Sequence, residues 1–201
     1  MCGSGEEGKL DGNPDEAMFN GPGELTIKGG YLYVADQFSH SIRSVEMATG
    51  VVSTVAGNRD PGMENTGPHK AKEAQFRCPC AVLAWGASIY VADRDNHLVR
   101  SLNLDTGQVQ TVAGTGKTGF KDGPAKRAEF NSPGGLAALG STLYVADSDN
   151  NAIRCIDLHD HEVSTMAGSS GERGYVDGPC GESKWHYPTG LLVLPKSFPG
   201  G

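Results

Sequence analysis

Three aspartates and three arginines recur at a constant spacing and are the residues of this chain best suited to ionic chemistry. Each aspartate is followed seven positions later by an arginine, in the pairs Asp36 and Arg43, Asp93 and Arg100, and Asp147 and Arg154. Across a hairpin turn, such residues can form a bidentate ion pair. Because a catalytic centre needs one residue of each kind and not three equivalent ones, we expect these pairs to stabilise structure.

Two further features could bind a metal ion. The D-x-D-N turns, 93–96 and 147–150, resemble half a calcium loop but lack its distal bidentate glutamate, so Asx-turns are favoured. His159 and His161 form a His-x-His pair, for which a solvated turn is the favoured interpretation over a metal site. We therefore predict no cofactor, with calcium or zinc as the alternative.

These residues lie in an internal repeat that covers nearly the whole chain. The segment from Leu143 to Gly168 has two gap-free counterparts, 89–114 and 32–57, which gives a period of about 55 residues. Within each unit, apolar and β-branched residues alternate between turn residues, as in short strands. For the third unit this pattern predicts strands at 135–139, 142–147, 152–157 and 162–167.

Units of four antiparallel strands that stack on both faces are typical of a β-propeller. The sequence therefore predicts an all-β fold, a β-propeller with three complete blades and partial ends. In the linking segments, an Ala-x-Phe step such as Ala128 and Phe130 is interpreted as an apolar plug between blades. The predicted parts are a linker at 1–23, a blade at 24–57, linker and blade at 58–114 and 115–168, and linker and partial blade at 169–201.

Residues that break the repeat are the candidates for ligand binding. Trp185, His186 and Tyr187 form an aromatic cluster where the third unit has Phe-Asn-Ser. The segment 58–72 is the longest irregular loop, and such loops often carry recognition. From this loop we select Arg59, Met63 and His69 as candidate binding residues.

At these motifs the sequence resembles the NHL-repeat family. The resemblance rests on LYVAD, an Asn-rich turn, I-R, T-G-x-V-x-T-x-A-G, D-G-x-x-x-x-A-x-F and P-x-G-L. It is the long variant of the repeat, similar to that of thioredoxin-linked NHL proteins. The resemblance implies a non-catalytic scaffold that binds a protein or another ligand.

The resemblance leaves one alternative, a fragment of a propeller lyase or lactonase-like hydrolase with a metal in the central channel. Among the residues at the inner-strand ends, only Glu24 can bind a hard cation. This supply of ligands disfavours an enzyme in this segment.

Propellers have roughly four to eight blades, more than the three complete units found here. We expect either a segment of a larger, six-bladed ring, with a partial blade beginning at Gly190, or self-association that completes a ring. Uncovered terminal blades would expose apolar surface, which makes an open arc that is stable alone the less favoured alternative.

Composition limits the partners. The chain has 17 Lys and Arg against 24 Asp and Glu, and because phosphate neutralisation dominates nucleic-acid affinity, we expect no nucleic-acid partner. No apolar run approaches the roughly 20 residues of a membrane span, and no signal peptide precedes the repeats, so we expect a soluble protein of unassigned compartment. The five cysteines fit neither a zinc ribbon nor a thioredoxin motif.

Overall fold

The alternating segments fold into three antiparallel sheets, one for each repeat unit. The computed structural model describes residues 2–63, 68–168 and 172–194. The first sheet has four strands in sequential order, β1 (Pro22–Lys28), β2 (Tyr31–Asp36), β3 (Ser41–Glu46) and β4 (Val52–Ala56).

The second and third sheets each contain a fifth, two-residue strand from the preceding linker. The second consists of β5 (His69–Lys70), β6 (Pro79–Trp85), β7 (Ser88–Asp93), β8 (Leu98–Asn103) and β9 (Gln108–Ala113). The third consists of β10 (Gly123–Pro124), β11 (Pro133–Leu139), β12 (Thr142–Asp147), β13 (Ala152–Asp157) and β14 (Glu162–Ala167). Their orders are β5-β9-β8-β7-β6 and β10-β14-β13-β12-β11.

The linker strands revise the prediction of four strands per blade. Each pairs with the outermost strand of its own blade, β5 with β9 and β10 with β14. In the first blade, a single bridge between Gly12 and Val52 takes this place. The linker thereby occupies the backbone hydrogen-bonding groups of an edge that would otherwise be open to another strand.

The blades stack face to face around their inner strands β1, β6 and β11, which contact one another in sequence. Ile42 and Ile89 are buried in the core between the first two blades, and Leu143 lies in the core between the second and third. Ala128 and Phe130 are fully buried in that second core. The alternating pattern is apolar on both strand faces, and in the second blade both faces are covered, one by the first blade and the other by the third.

The sheets do not close into a ring, and the outer face of the first blade is uncovered. Leu25 and Ile27 are 58% and 60% exposed, whereas Val82 and Leu136, which stand at the position of Leu25 in the next two blades, are 3% and 4% exposed. Residues 190–194 of the predicted partial blade contain no strand, and its remaining residues, 195–201, lie outside the described residues.

Short 3-10 turns connect the second and third strands of every blade. They span Gln37–Ser39, Arg94–Asn96 and Ser148–Asn150, and each ends in a left-handed residue, His40, His97 or Asn151. These turns lie beside the beginnings of the inner strands, on the side of the blades that we call the turn face. No helix in the described ranges is long and apolar enough to cross a membrane.

Candidate functional site on the turn face

The recurring aspartates and arginines form buried ion networks. Arg154 Nη1 lies 2.7 Å from Asp147 Oδ2, and both side chains are fully buried. Its Nη2 lies 2.6 Å from Oδ1 of Asp122 in the linker. The geometry differs from the bidentate pair expected within the hairpin, because the two amino groups contact two different carboxylates. In the first blade Arg43 bridges Asp36 and Asp11 in the same way, at 2.8 and 2.7 Å.

The second blade departs from this arrangement. Arg100 Nη1 lies 3.5 Å from Asp93 Oδ2, and Pro68 stands at the linker position that an aspartate occupies in the other two blades. Burial raises the pKa of Asp93 to about 7, while the backbone N–H of Arg77, the Asn96 amide and the Arg100 guanidinium oppose this rise. The same type of aspartate-arginine network therefore exists in all three blades, with a longer contact between arginine and aspartate in the second.

Three hydrogen bonds of one type join each blade to the segment that follows it, and we call them the interblade latches. In each, the left-handed residue that ends a turn accepts a bond from the backbone N–H of the residue just before the next proline. The pairs are Cys78 N to His40 Nδ1 at 3.2 Å, Ser132 N to His97 Nδ1 at 3.1 Å, and Tyr187 N to Asn151 Oδ1 at 3.0 Å.

The two latch histidines are held in the neutral form. Desolvation by burial lowers the pKa of both His40 and His97. With Nδ1 accepting from the backbone, the neutral ring carries its proton on Nε2, which for His97 lies 2.9 Å from the Thr118 hydroxyl. Neither Nδ1 atom is therefore available as a general base.

A cavity of about 690 Å³, the turn-face cavity, opens beside the second blade. Met63 and Thr118 line it from two successive linkers, Arg77 and Asp95 bring opposite charges, and the latch histidines also contribute to its wall. Met63 is 48% exposed and supplies apolar surface. Of the residues selected from the sequence, Met63 is the one that lines this cavity.

A smaller cavity of about 340 Å³, the axial cavity, lies where the inner strands begin. Successive blades contribute Gly23, Cys80 and Gly134 from equivalent positions. Tyr187, selected from the sequence, also lines it. Its neighbours Trp185 and His186 instead line a third cavity of about 650 Å³, with Tyr175 hydroxyl 2.8 Å from His186 Nδ1.

The two remaining selected residues contact the body of the fold. Arg59 lies 3.0 Å from Asp11 Oδ2 and donates to the Thr54 hydroxyl at 2.7 Å. His69 is half-buried in β5, where it pairs with Val109, so the segment 58–72 is not irregular throughout. Glu64 of the same segment lies outside the described residues. Arg59 and His69 are thus not brought together with Met63.

The residues considered for metal binding are not clustered. His159 Nδ1 lies 2.7 Å from Asp160 Oδ1, with both side chains largely exposed. Over the described ranges, no three His, Cys, Asp or Glu side chains are close enough to hold a metal ion. All five cysteines are free thiols, and burial raises the pKa of Cys80 to about 12.

Comparison with known proteins places these repeats in a family. The LVIVD repeat model matches residues 23–39, which include β2 and all of β1 except Pro22. NHL repeat-containing protein 2 of Bos taurus is 35% identical over 219 residues, covering 100% of this chain and 29% of that protein. The chain belongs to the NHL-repeat family. Another relative, Protein SUPPRESSOR OF QUENCHING 1, chloroplastic, of Arabidopsis thaliana, is 36% identical over 83% of the NHL chain and 17% of its own length.

The NHL chain thus spans less than a third of these relatives. Among solved structures, streptogramin B lyase aligns with a TM-score of 0.52 at 11% identity, covering 86% of this chain and 44% of that one. Hydrazine synthase of Kuenenia stuttgartiensis aligns with a TM-score of 0.53 at 20% identity, covering 83% and 41%. At these identities the likeness shows the β-propeller fold alone.

Several residues of the NHL turn face were missed by sequence reasoning. His40, His97 and Asn151 accept the latch hydrogen bonds. In the sequence each is a single polar residue in a turn, which by itself does not indicate a contact with the next repeat. The available signal is their common position four residues after the recurring aspartate, together with the residue directly before each inner-strand proline. Arg77 was not singled out from the sequence, and Asp95 was considered only as part of the D-x-D-N turn 93–96.

Proposed function

We propose that this NHL chain is a non-catalytic scaffold that binds an extended peptide segment of a protein partner in the turn-face cavity. The observation that carries the proposal is the composition of that cavity, where flexible, apolar Met63 lies with exposed Arg77 and half-buried Asp95. A methionine adapts its shape to apolar side chains, and the opposite charges can bind polar groups of a peptide.

The state of the candidate reactive groups supports binding over catalysis at this cavity. Burial and a bond to Asp95 raise the pKa of the Cys78 thiol, which keeps it in the poorly nucleophilic neutral form. Both latch histidines use Nδ1 as an acceptor for backbone N–H groups. Cys78 is therefore a poor nucleophile, and neither latch histidine has an Nδ1 atom free to accept a proton.

The test is a selection of peptides from a random library on the immobilised wild-type chain, followed by titration of the enriched peptides. Met63→Ala and Arg77→Ala should each weaken binding roughly 10-fold, which corresponds to about 1.4 kcal/mol. Arg127→Ala, which removes another exposed arginine that lines none of the three cavities described above, is the matched control and should leave affinity unchanged. Equal binding by all three variants, or no enriched peptide, would overturn the proposal.

A further inference from the structure

The repeats separate constant positions from variable ones, and the variable ones converge on the axial cavity. Directly after the constant aspartate of the ion network, the three blades have Gln37, Arg94 and Ser148, which all line this cavity. A residue needed for the fold recurs in every blade, as the network aspartates and arginines do. Positions that differ between repeats and yet line one common cavity are typical of a ligand-binding site.

Two charged side chains reach the axial cavity with polar capacity unused. The half-buried Glu24 carboxylate has no hydrogen-bond or ion-pair partner within the described ranges. Arg94 donates through Nε to Asp95 Oδ1 at 2.9 Å and also interacts with the Cys78 thiol, and within the described ranges its two terminal amino groups contact no carboxylate. The equivalent positions of Glu24 in the next two blades are Ala81 and Gly135, so the acid is specific to the first blade.

We propose that the axial cavity binds a small zwitterion of the α-amino-acid class, with its ammonium group at Glu24 and its carboxylate at Arg94. The two side chains do not form an ion pair with each other. A ligand with only negative charge would meet the Glu24 carboxylate, and a ligand with only positive charge would meet the Arg94 guanidinium. A molecule that carries both charges satisfies both groups.

The size and remaining lining agree with this class of ligand. A volume of about 340 Å³ is at the small end of ligand sites and suits one amino acid. Ser148 donates its hydroxyl proton to the Pro188 carbonyl at 2.7 Å, which leaves its oxygen free to accept. The Cys80 thiol is neutral because burial raises its pKa to about 12, so it adds no second negative charge.

The site should also bind with proton release, which a purely structural glutamate would not show. Burial raises the pKa of Glu24 to about 7. An ammonium group favours the ionised carboxylate, so binding near neutral pH displaces part of a proton and affinity increases as the pH rises through this range. Calorimetry in two buffers with different ionisation enthalpies measures this release.

The experiment titrates the whole chain with each of the twenty common L-amino acids, up to roughly 10 mM, well above the ~1 mM dissociation constant that marks weak binding. The tightest ligand is then compared with its N-acetyl derivative, which lacks the ammonium group, and its carboxamide, which lacks the carboxylate. We expect both derivatives to bind roughly 10-fold more weakly, a loss of about 1.4 kcal/mol each.

Two variants assign the charges. Glu24→Gln should weaken the amino acid but not its N-acetyl derivative, and Arg94→Gln, which installs the residue of the first blade, should weaken the amino acid but not its carboxamide. Absence of binding by all twenty amino acids, or equal losses for both derivatives in both variants, would overturn the inference. Because this cavity is separate from the one lined by Met63 and Arg77, peptide binding there can succeed or fail independently.

Discussion

The Nδ1 atom of His97 accepts a hydrogen bond from the backbone N–H of Ser132 at 3.1 Å and so joins the second blade to the third. His40 makes the equivalent bond to Cys78 at 3.2 Å, and Asn151 replaces histidine in the third blade. Two of the three latches therefore depend on an imidazole that must stay neutral, whereas the third does not titrate.

Acidification should weaken the first two latches. The native pKa of each histidine lies below its ordinary value of 6.5, so the unfolded chain binds protons first as the pH falls. Stability present above about pH 6.5 is therefore lost as the pH falls from there toward the lower native pKa. The groups that act on His97 are Asp95, Asp149 and Arg77, and those on His40 are Lys9, Arg77, Asp60 and Asp95.

The double variant His40→Asn, His97→Asn copies the third blade and should flatten this pH dependence while keeping the latches. Denaturant unfolding at several pH values between about 5 and 7.5 measures the difference from wild type. Asp93 acts in the opposite direction, since its pKa raised to about 7 adds stability as the pH falls, but it is the same in both proteins. If the difference in the free energy of unfolding between wild type and the double variant were the same at every pH, the prediction would be wrong.

Replacing His97 by alanine should cost more than replacing it by asparagine. The alanine variant removes the acceptor and leaves the Ser132 N–H without its latch partner, a loss of about 1 kcal/mol. The His97→Asn variant would retain a side-chain carbonyl as acceptor, like that of Asn151, which lies 3.0 Å from Tyr187 N. Free energies of unfolding for both variants at neutral pH test the order, and equal values would show that the latch contributes no stability.

The bridge made by Arg154 should not tolerate lysine. The guanidinium contacts Asp147 and Asp122 and also donates to the carbonyls of Glu129 and Lys121. A single ammonium cannot reach two carboxylates in this geometry, so Arg154→Lys should lower the free energy of unfolding by about 3 kcal/mol. Exposed Arg127→Lys is the control and should change it by less than about 0.5 kcal/mol.

A glycine at the start of the third inner strand should resist substitution. A Cβ at Gly135 would lie 1.8 Å from the Thr189 carbonyl oxygen, which is a backbone clash. Gly135→Ala should therefore displace the segment around residue 189 and destabilise the chain by about 1–3 kcal/mol. Gly181→Ala, which meets no atom within 4 Å, should be neutral. A melting temperature that falls equally in both variants would refute this explanation.

The uncovered face of the first blade should bind a second copy of the chain. Leu25 and Ile27 occupy positions that a preceding blade covers elsewhere in the fold, and at the third blade Met166 of β14 and Leu192 are 47% and 80% exposed. Both exposed regions are apolar and continue the stacking interfaces, so a head-to-tail pair of chains would bury them. Light scattering should give twice the chain mass, and Leu25→Lys with Ile27→Lys should give the monomer. A wild-type monomer that melts cooperatively would contradict this prediction.

The strands could be predicted closely because their apolar alternation is local. In the third blade the prediction of 142–147, 152–157 and 162–167 matches the observed β12, β13 and β14, and only the first strand begins two residues early, at Pro133. That extension depends on pairing of Pro133 with Asp147 across a bulge, which is a tertiary contact. The propeller fold follows from the same repeat.

The site was predictable only in part. Met63 was selected because it interrupts the repeat, and it lines the turn-face cavity. Arg59 was selected for the same reason, but its guanidinium forms an ion pair with Asp11 of the first linker. Sequence patterns show which residues differ from their repeat equivalents, whereas which of them share a cavity depends on how linkers lie across neighbouring blades.

The linker strands also bear on how such a chain grows by duplication. Because β10 pairs with β14 of its own blade, a copied segment that begins with the linker and ends with the outer strand brings its own edge protection. A copied segment that began at the inner strand would lack the linker strand, so the backbone groups of its outermost strand would be unpaired. The segment that can be duplicated as a unit is therefore a linker together with the blade that follows it. Each added unit creates one more interface between blades and leaves no outer strand unpaired.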